Sequence, residues 1–301
     1  MQILLQLVGR CDNFDNFVSD NRKLVAGLDS GMFNPDSKRT MVTAKIGRHT
    51  VEYYDEIGEL PIVRFHKYQR LLLVDSGVGA DIAAFDQRLE RARHFLLAGK
   101  NDKAQQELEN LRQCVWLIQG EISPRHRAFA ALVTKIDGRD CSDVSDEALE
   151  KVTALLNDVP VDKLTALLEA VKKKIDNELT LYFPKLFNDS SVKEYYDLLK
   201  ARTMAVLQNI IKGVTEPEAG RDIERLTTKL ITYSNPKIFS GSESAEIQFD
   251  RQFENLCLVL SEQLHIQPKT YTVLEFYNAF DFLQERAKQA EQAQKRGKSG
   301  R

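Results

Sequence analysis

The residue types that could do chemistry in this chain are present but scattered. Its five histidines, His49, His66, His94, His126 and His265, never fall three or four positions apart, the spacing that sets two metal ligands on one helix face. The four cysteines, Cys11, Cys114, Cys141 and Cys257, form no CxxC pair and read as reduced thiols. Cys114 falls on an apolar helix face, where a thiol stays protonated and inert. No GxSxG elbow offers an activated serine. Gly77-Val78-Gly79-Ala80-Asp81-Ile82 opens like a dinucleotide-binding turn, but Ile82 stands where the third glycine belongs and no clear βαβ unit surrounds it. Gly297-Lys298-Ser299 ends like a phosphate-binding loop, yet Gln292 occupies the first glycine's place. The carboxylates Asp146-Glu147 and Glu216/Glu218 sit at helix starts, where the dipole favours them without any catalytic role. No catalytic, cofactor-binding or metal-ligating residue is assigned, and a non-enzyme is expected. A cleft gathering Glu59, His66 and His94 is the arrangement that would reverse this.

What must position these residues is a succession of amphipathic helices. The pattern predicts helices over about 81–98 (Ile82, Phe85, Leu89 and Phe95 inward), 102–119, and 124–136 with Ser123 as N-cap and Pro124 at the first position. Beyond Gly138, Ser145 caps the next helix. Residues 162–182 then carry the stripe Leu164, Leu167, Leu168, Val171, Ile175 and Leu179. Helices follow over 191–212, after a capping box at Thr215–Glu218, around Phe249–Leu260, and after a second box, Thr272 with Glu275. Residues 43–54 read as a β-hairpin turning at Gly47-Arg48. Segment 61–74 stays open: Pro61 suits a helix start, while a strand over 70–74 fits the same residues.

The expected fold class is mainly α, with multi-helix bundle-like domains and a small N-terminal β-hairpin element. Residues 1–40 read as an extension with little to order it, 41–140 as hairpin plus helices, 141–290 as a helical domain, and 291–301 as a basic flexible tail. A net charge of −2 gives no global draw toward nucleic acid. The apolar start lacks a basic n-region and a cleavage site, and no apolar run reaches the roughly 18 residues of a membrane span, so a cytoplasmic protein is expected.

Two stretches carry a resemblance. Glu59-Leu60-Pro61-Ile62-Val63-Arg64-Phe65-His66-Lys67-Tyr68, leading to Leu72-Leu73-Val74-Asp75-Ser76-Gly77-Val78-Gly79, resembles small proteins encoded in tailed-bacteriophage and prophage structural modules. Tyr271-Thr272-Val273-Leu274-Glu275-Phe276-Tyr277-Asn278-Ala279-Phe280 is similar to the C-terminal helix of some tail-assembly chaperones. The resemblance implies a virion component or assembly helper working through contacts with other phage structural proteins or with itself, without cofactors and without catalytic residues. Tyr195, Tyr196, Phe276, Tyr277 and Phe280 are candidates for helix-in-groove contacts, although such residues are more often core than interface. The alternative is a nucleic-acid-associated accessory protein using Lys295, Arg296, Lys298 and Arg301. That tail has no aromatic residue to stack bases, so nucleic acid is not the expected partner.

Overall fold

A computed structural model describes residues 41–187, 190–212, 218–233 and 236–298. The expected extension over 1–40 and residues 215–217 of the expected capping box therefore lie outside the described residues. The fold is mainly α, as the helical periodicity predicts, with a small antiparallel sheet near its N-terminal side. Among the described residues no helix is long and apolar enough to cross a membrane. The described residues divide into two compact units: those within 41–73, 124–187 and 249–298 form the first, and those within 74–123 and 190–248 the second. The break expected near 138–145 instead falls inside the first unit.

In the first unit, β1 (Val42–Ile46) and β2 (His49–Tyr53) form the expected hairpin, in register Val42 to Tyr53 through Ile46 to His49. The sheet then continues where a helix was expected. Helix α4 (Pro124–Leu132) stops after nine residues, and Val133–Ile136 becomes β3, paired with β2 and with β4 (Arg139–Asp140). Two local features explain the switch. Val133-Thr134-Lys135-Ile136 is rich in β-branched residues. Asp137 and Gly138 both adopt positive φ (50° and 78°), the backbone of a two-residue hairpin turn.

Arg64 secures that junction from α1 (Ile62–Gly77). Its buried guanidinium donates to the carbonyls of Ala131 (3.0 Å), Val133 (2.8 Å) and Cys141 (2.8 Å), groups that a helix turning into a strand would leave unpaired. Segment 61–74 is helical: Ile62, Phe65, Gln69 and Leu72 are buried at helical spacing on one face of α1.

Helix α11 (Val273–Lys298) begins beside α1. Thr272 N donates to Glu275 Oε2 (2.8 Å) while Glu275 N donates to Thr272 Oγ1 (3.3 Å), the reciprocal capping box that the sequence pattern predicts. Ile62 N donates to Tyr271 O, and Val273 N to Leu60 O, both at 2.9 Å. Residues 57–62 and 271–274 are thus stitched together at the two helix starts.

The remaining helices complete the first unit: α5 (Asp146–Leu155), capped by Ser145, α6 (Val161–Tyr182), the short α7 (Pro184–Phe187) and the Phe249–Leu264 part of α10 (Ala245–Leu264). Leu164, Leu168, Val171, Ile175 and Leu179 of α6 are all buried, each contributing about 2 kcal/mol of transfer free energy.

Tyr68 is fully buried and its hydroxyl finds no hydrogen-bond partner. Burial pushes its pKa up, and the group stays a neutral phenol. Removing an orphaned hydroxyl costs nothing in lost bonds. Tyr68→Phe is therefore expected to leave stability unchanged or raise it by up to ~1 kcal/mol, read as the urea midpoint.

The second unit is built from α2 (Ile82–Leu97), α3 (Asn101–Gln119), α8 (Ser190–Lys212) and α9 (Glu218–Tyr233), with α2 packed on α3 and α8 on α9. Asp81 caps α2 by accepting from Ala84 N at 2.7 Å. The Gly77-Val78-Gly79 segment is a packing element. A Cβ on Gly77 would lie 2.0 Å from the ring of Phe239, and Gly79 holds φ +78° with Ala84 Cβ against it. Gly77→Ala is expected to cost about 1–3 kcal/mol through displacement of the Phe239 ring, measured by equilibrium unfolding.

Candidate functional site

Among the described residues, three constellations bring several titratable side chains together, the first with aromatic rings. The first joins α1 and α10. His66 lies stacked between Phe249 (4.6 Å between centroids) and Phe253 (4.1 Å), with its Nε2 2.8 Å from Asp250 Oδ1. Asp250 also accepts from Arg70 (2.9 Å), and Lys67 reaches Asp146 at 2.6 Å. Burial pushes the His66 pKa down and Asp250 pulls it partly back, so the imidazole is held closer to neutral than a free one. Closed between two phenyl rings, it is a packed histidine with its polar edge satisfied. Glu59 belongs to the same unit, whereas His94 lies in the second.

The second constellation pins three loops of the first unit. His49 Nδ1 stands 2.6 Å from Asp137 Oδ2 in the β3–β4 turn, and its Nε2 is 3.1 Å from Asp158 Oδ1 after α5. Arg48 Nε also contacts Asp158, at 2.7 Å, and Asp137 Oδ1 accepts from Thr50 N at 2.8 Å. The hydrogen bond to Asp137 leads the causes that raise the His49 pKa above 6.5, and the same bond holds the Asp137 carboxyl low. A group whose pKa rises on folding stabilises the fold below its unfolded pKa. That contribution is lost as pH climbs through the raised folded value. The stability difference between wild type and His49→Gln is therefore expected to be full below about pH 6 and to shrink as pH rises beyond 6.5. Melting curves of both proteins at several pH values check it; a difference that grows with pH would contradict it.

The third constellation lies inside the second unit. Glu107 is fully buried, with Oε1 2.7 Å from Arg91 Nε and Oε2 3.5 Å from Arg88 Nη1. Arg88 additionally donates to the carbonyls of Ser76 and Val78. On the next turn of α3, Asn110 Nδ2 donates to Lys237 O at 2.8 Å. This network ties α2, α3 and the loop at 236–244 together. No cluster of metal-ligating side chains occurs among the described residues.

The cysteines are equally quiet. Cys114, Cys141 and Cys257 are free, and burial pushes all three thiols up, Cys257 to about 11.

The sequence-based contact candidates divide. Phe276, Tyr277 and Phe280 are core and unavailable to a partner. Tyr277 is the hub of an aromatic cluster, 5.2 Å from Phe187, 5.7 Å from Phe183 and 5.7 Å from Phe276. The reason is the stitched start of α11, which turns that face into the first unit. Tyr195 and Tyr196 fall on α8 and Lys295, Arg296 and Lys298 on α11, but their side chains, and all of Arg301, lie outside the described residues.

What sequence reasoning missed is an apolar surface on the second unit. Ile82 (74% exposed), Leu89 (46%) and Leu96 (54%) recur every seven residues along α2. Leu108 and Trp116 (59%) stand out from α3, and Met204, Leu207 and Ile211 from α8. The inward set of that unit mixes small and polar residues, among them Ala92, Ala104, Arg88, Glu107 and Asn110, with Phe95, Leu117 and Phe239. Periodicity assigned Ile82 and Leu89 to the inside. The stripe that is buried runs instead through Arg88, Ala92 and Phe95, about a quarter-turn away. A signal was present: the arginine and alanine share a face with Phe95, and Arg88 is needed there to meet Glu107.

Comparison of the chain with known protein families, with characterised proteins and with solved structures finds no match.

Proposed function

We propose that this chain is a non-enzymatic association protein, an assembly helper of the kind encoded in tailed-phage structural modules. It acts in the infected cell's cytoplasm or in the particle, through contacts with other structural proteins. The observation that supports the association is the set of large apolar side chains exposed on the second unit's helices. Large apolar side chains left exposed on several helices favour partner burial, and Trp is among the residue types most enriched at interface anchors. The phage setting rests on the sequence resemblance of residues 59–79 and 271–280.

The test is co-purification from a lysate of phage-infected cells, using the full chain and a Leu108→Glu, Trp116→Glu variant. The expected result is retention of particle structural proteins by the wild type and their loss in the variant, with helical circular dichroism unchanged. Retention of none, or the same set by both chains, would overturn the reading.

A further inference from the structure

The α2 surface has a pattern that fits its own copy. Ile82, Leu89 and Leu96 are all exposed and lie seven apart, so they stay within about 20° of one another per heptad around the helix. Asp86 and Arg93, also seven apart and both exposed, flank this stripe on one side, four residues after Ile82 and four after Leu89. One acidic and one basic side chain thus stand a heptad apart along one edge of the apolar line.

A second α2 laid antiparallel about Leu89 meets this pattern with its complement. Leu89 packs on Leu89 at the two-fold axis, and Ile82 of each copy packs on Leu96 of the other. A two-fold axis lying in the interface keeps each flank on its own side. Asp86 sits three residues before the pivot and Arg93 four after it. The reversed copy thus brings its Arg93 within about one residue's rise, ~1.5 Å along the axis, of Asp86. Both ion pairs form at once by symmetry. A parallel pairing, with its two-fold along the helices, would instead carry the two charged edges to opposite sides of the seam and leave Asp86 and Arg93 without each other. The charges select the antiparallel arrangement.

We propose that this chain pairs with a second copy of itself through α2, antiparallel and centred on Leu89. The proposal rests on the association reading, since it draws on the same exposed surface, and it names the occupant. A seam of about four turns falls at the low end of interface sizes, so dissociation in the micromolar range is expected.

Arg93 also contacts Glu90 within its own helix at 3.3 Å, an exposed pair that competes little. Asp86 near the N-terminus and Arg93 near the C-terminus suit the helix dipole as well. That provides a control. The exchange Asp86→Arg with Arg93→Asp opposes the dipole, so any recovery of pairing in the double variant comes from the contact between copies.

The experiment is sedimentation velocity on the full chain over a concentration series, with circular dichroism of each variant. The wild type is expected to dimerise and Leu89→Glu to remain monomeric with its helix content kept. Asp86→Arg and Arg93→Asp are each expected to weaken the dimer about tenfold, and the double exchange to return it to within about threefold of wild type. A wild type that stays monomeric at the highest concentration overturns the pairing. So does a dimer that Leu89→Glu leaves intact, or a double exchange no better than the singles. A monomer that still retains particle proteins in the lysate experiment sinks only the pairing. Loss of that retention, with the dimer intact, sinks only the assembly reading.

Discussion

Arg64→Met is expected to destabilise the protein by about 3–5 kcal/mol, measured as the shift in urea midpoint followed by circular dichroism. Methionine approximates the stem of arginine but supplies no donor, so the carbonyls of Ala131, Val133 and Cys141 lose their partner together. Each sits where α4 gives way to β3 or just beyond the β3–β4 hairpin. Burial lowers the Arg64 pKa, while Asp140 and Asp143 act in the opposite direction, and the guanidinium remains charged at neutral pH. Its guanidinium carbon also lies 5.9 Å from the Tyr54 ring centroid. Arg64→Lys should recover only part of the loss, because one ammonium cannot reproduce a planar fork that serves three acceptors. A loss below ~1 kcal/mol for Arg64→Met would show that the junction holds without it.

The second large effect is expected at Glu107. Glu107→Ala leaves Arg88 and Arg91 facing each other without the carboxylate that lies between them, and the expected cost is about 3–5 kcal/mol. Trp116 is the chain's one tryptophan and lies on the same helix, so its fluorescence reports the second unit. The Trp116 unfolding transition is expected to move by about 2 M in urea. Glu107→Gln is informative beside it: the amide keeps the shape and some hydrogen bonding but removes the charge. If alanine and glutamine cost the same, the charge is what matters; a much smaller loss for glutamine assigns the effect to packing and hydrogen bonds.

Much of the architecture is legible in the residues because local signals agree there. The stripe along α6, the Ser145 cap, the Thr272–Glu275 box and the β1–β2 hairpin each follow from spacing alone. The helix-to-strand switch after Leu132 was less visible, since Ala128 to Leu132 continues a good helix and only Val133-Thr134-Lys135-Ile136 with Asp137-Gly138 contradicts it. Arg64, the residue that makes the switch tolerable, is remote in sequence, and no local pattern could announce it.

The surface was legible only in part. Ile82 and Leu89 are as apolar as any core residue, and a helix with two apolar flanks does not declare which one turns inward. That choice is made by Glu107 of α3, which draws Arg88 and with it Ala92 and Phe95 to the inside. Phe276, Tyr277 and Phe280 follow the same logic in reverse. Their aromatic character suggested contact, and the backbone bonds joining α11 to residues 57–62 commit them to the core. In both cases the deciding interaction comes from another segment of the chain, so sequence spacing within one helix could not decide.

The most direct measurement of the central claim uses Trp116 as it stands. Its emission and its quenching by acrylamide would be followed while the full chain is titrated with a structural protein that co-purifies with it. The account predicts a blue shift and loss of quenching that saturate with the partner, because a half-exposed indole on an association surface becomes enclosed. Binding that leaves Trp116 as red and as quenchable as in the free chain would contradict the placement of the contact surface on the second unit.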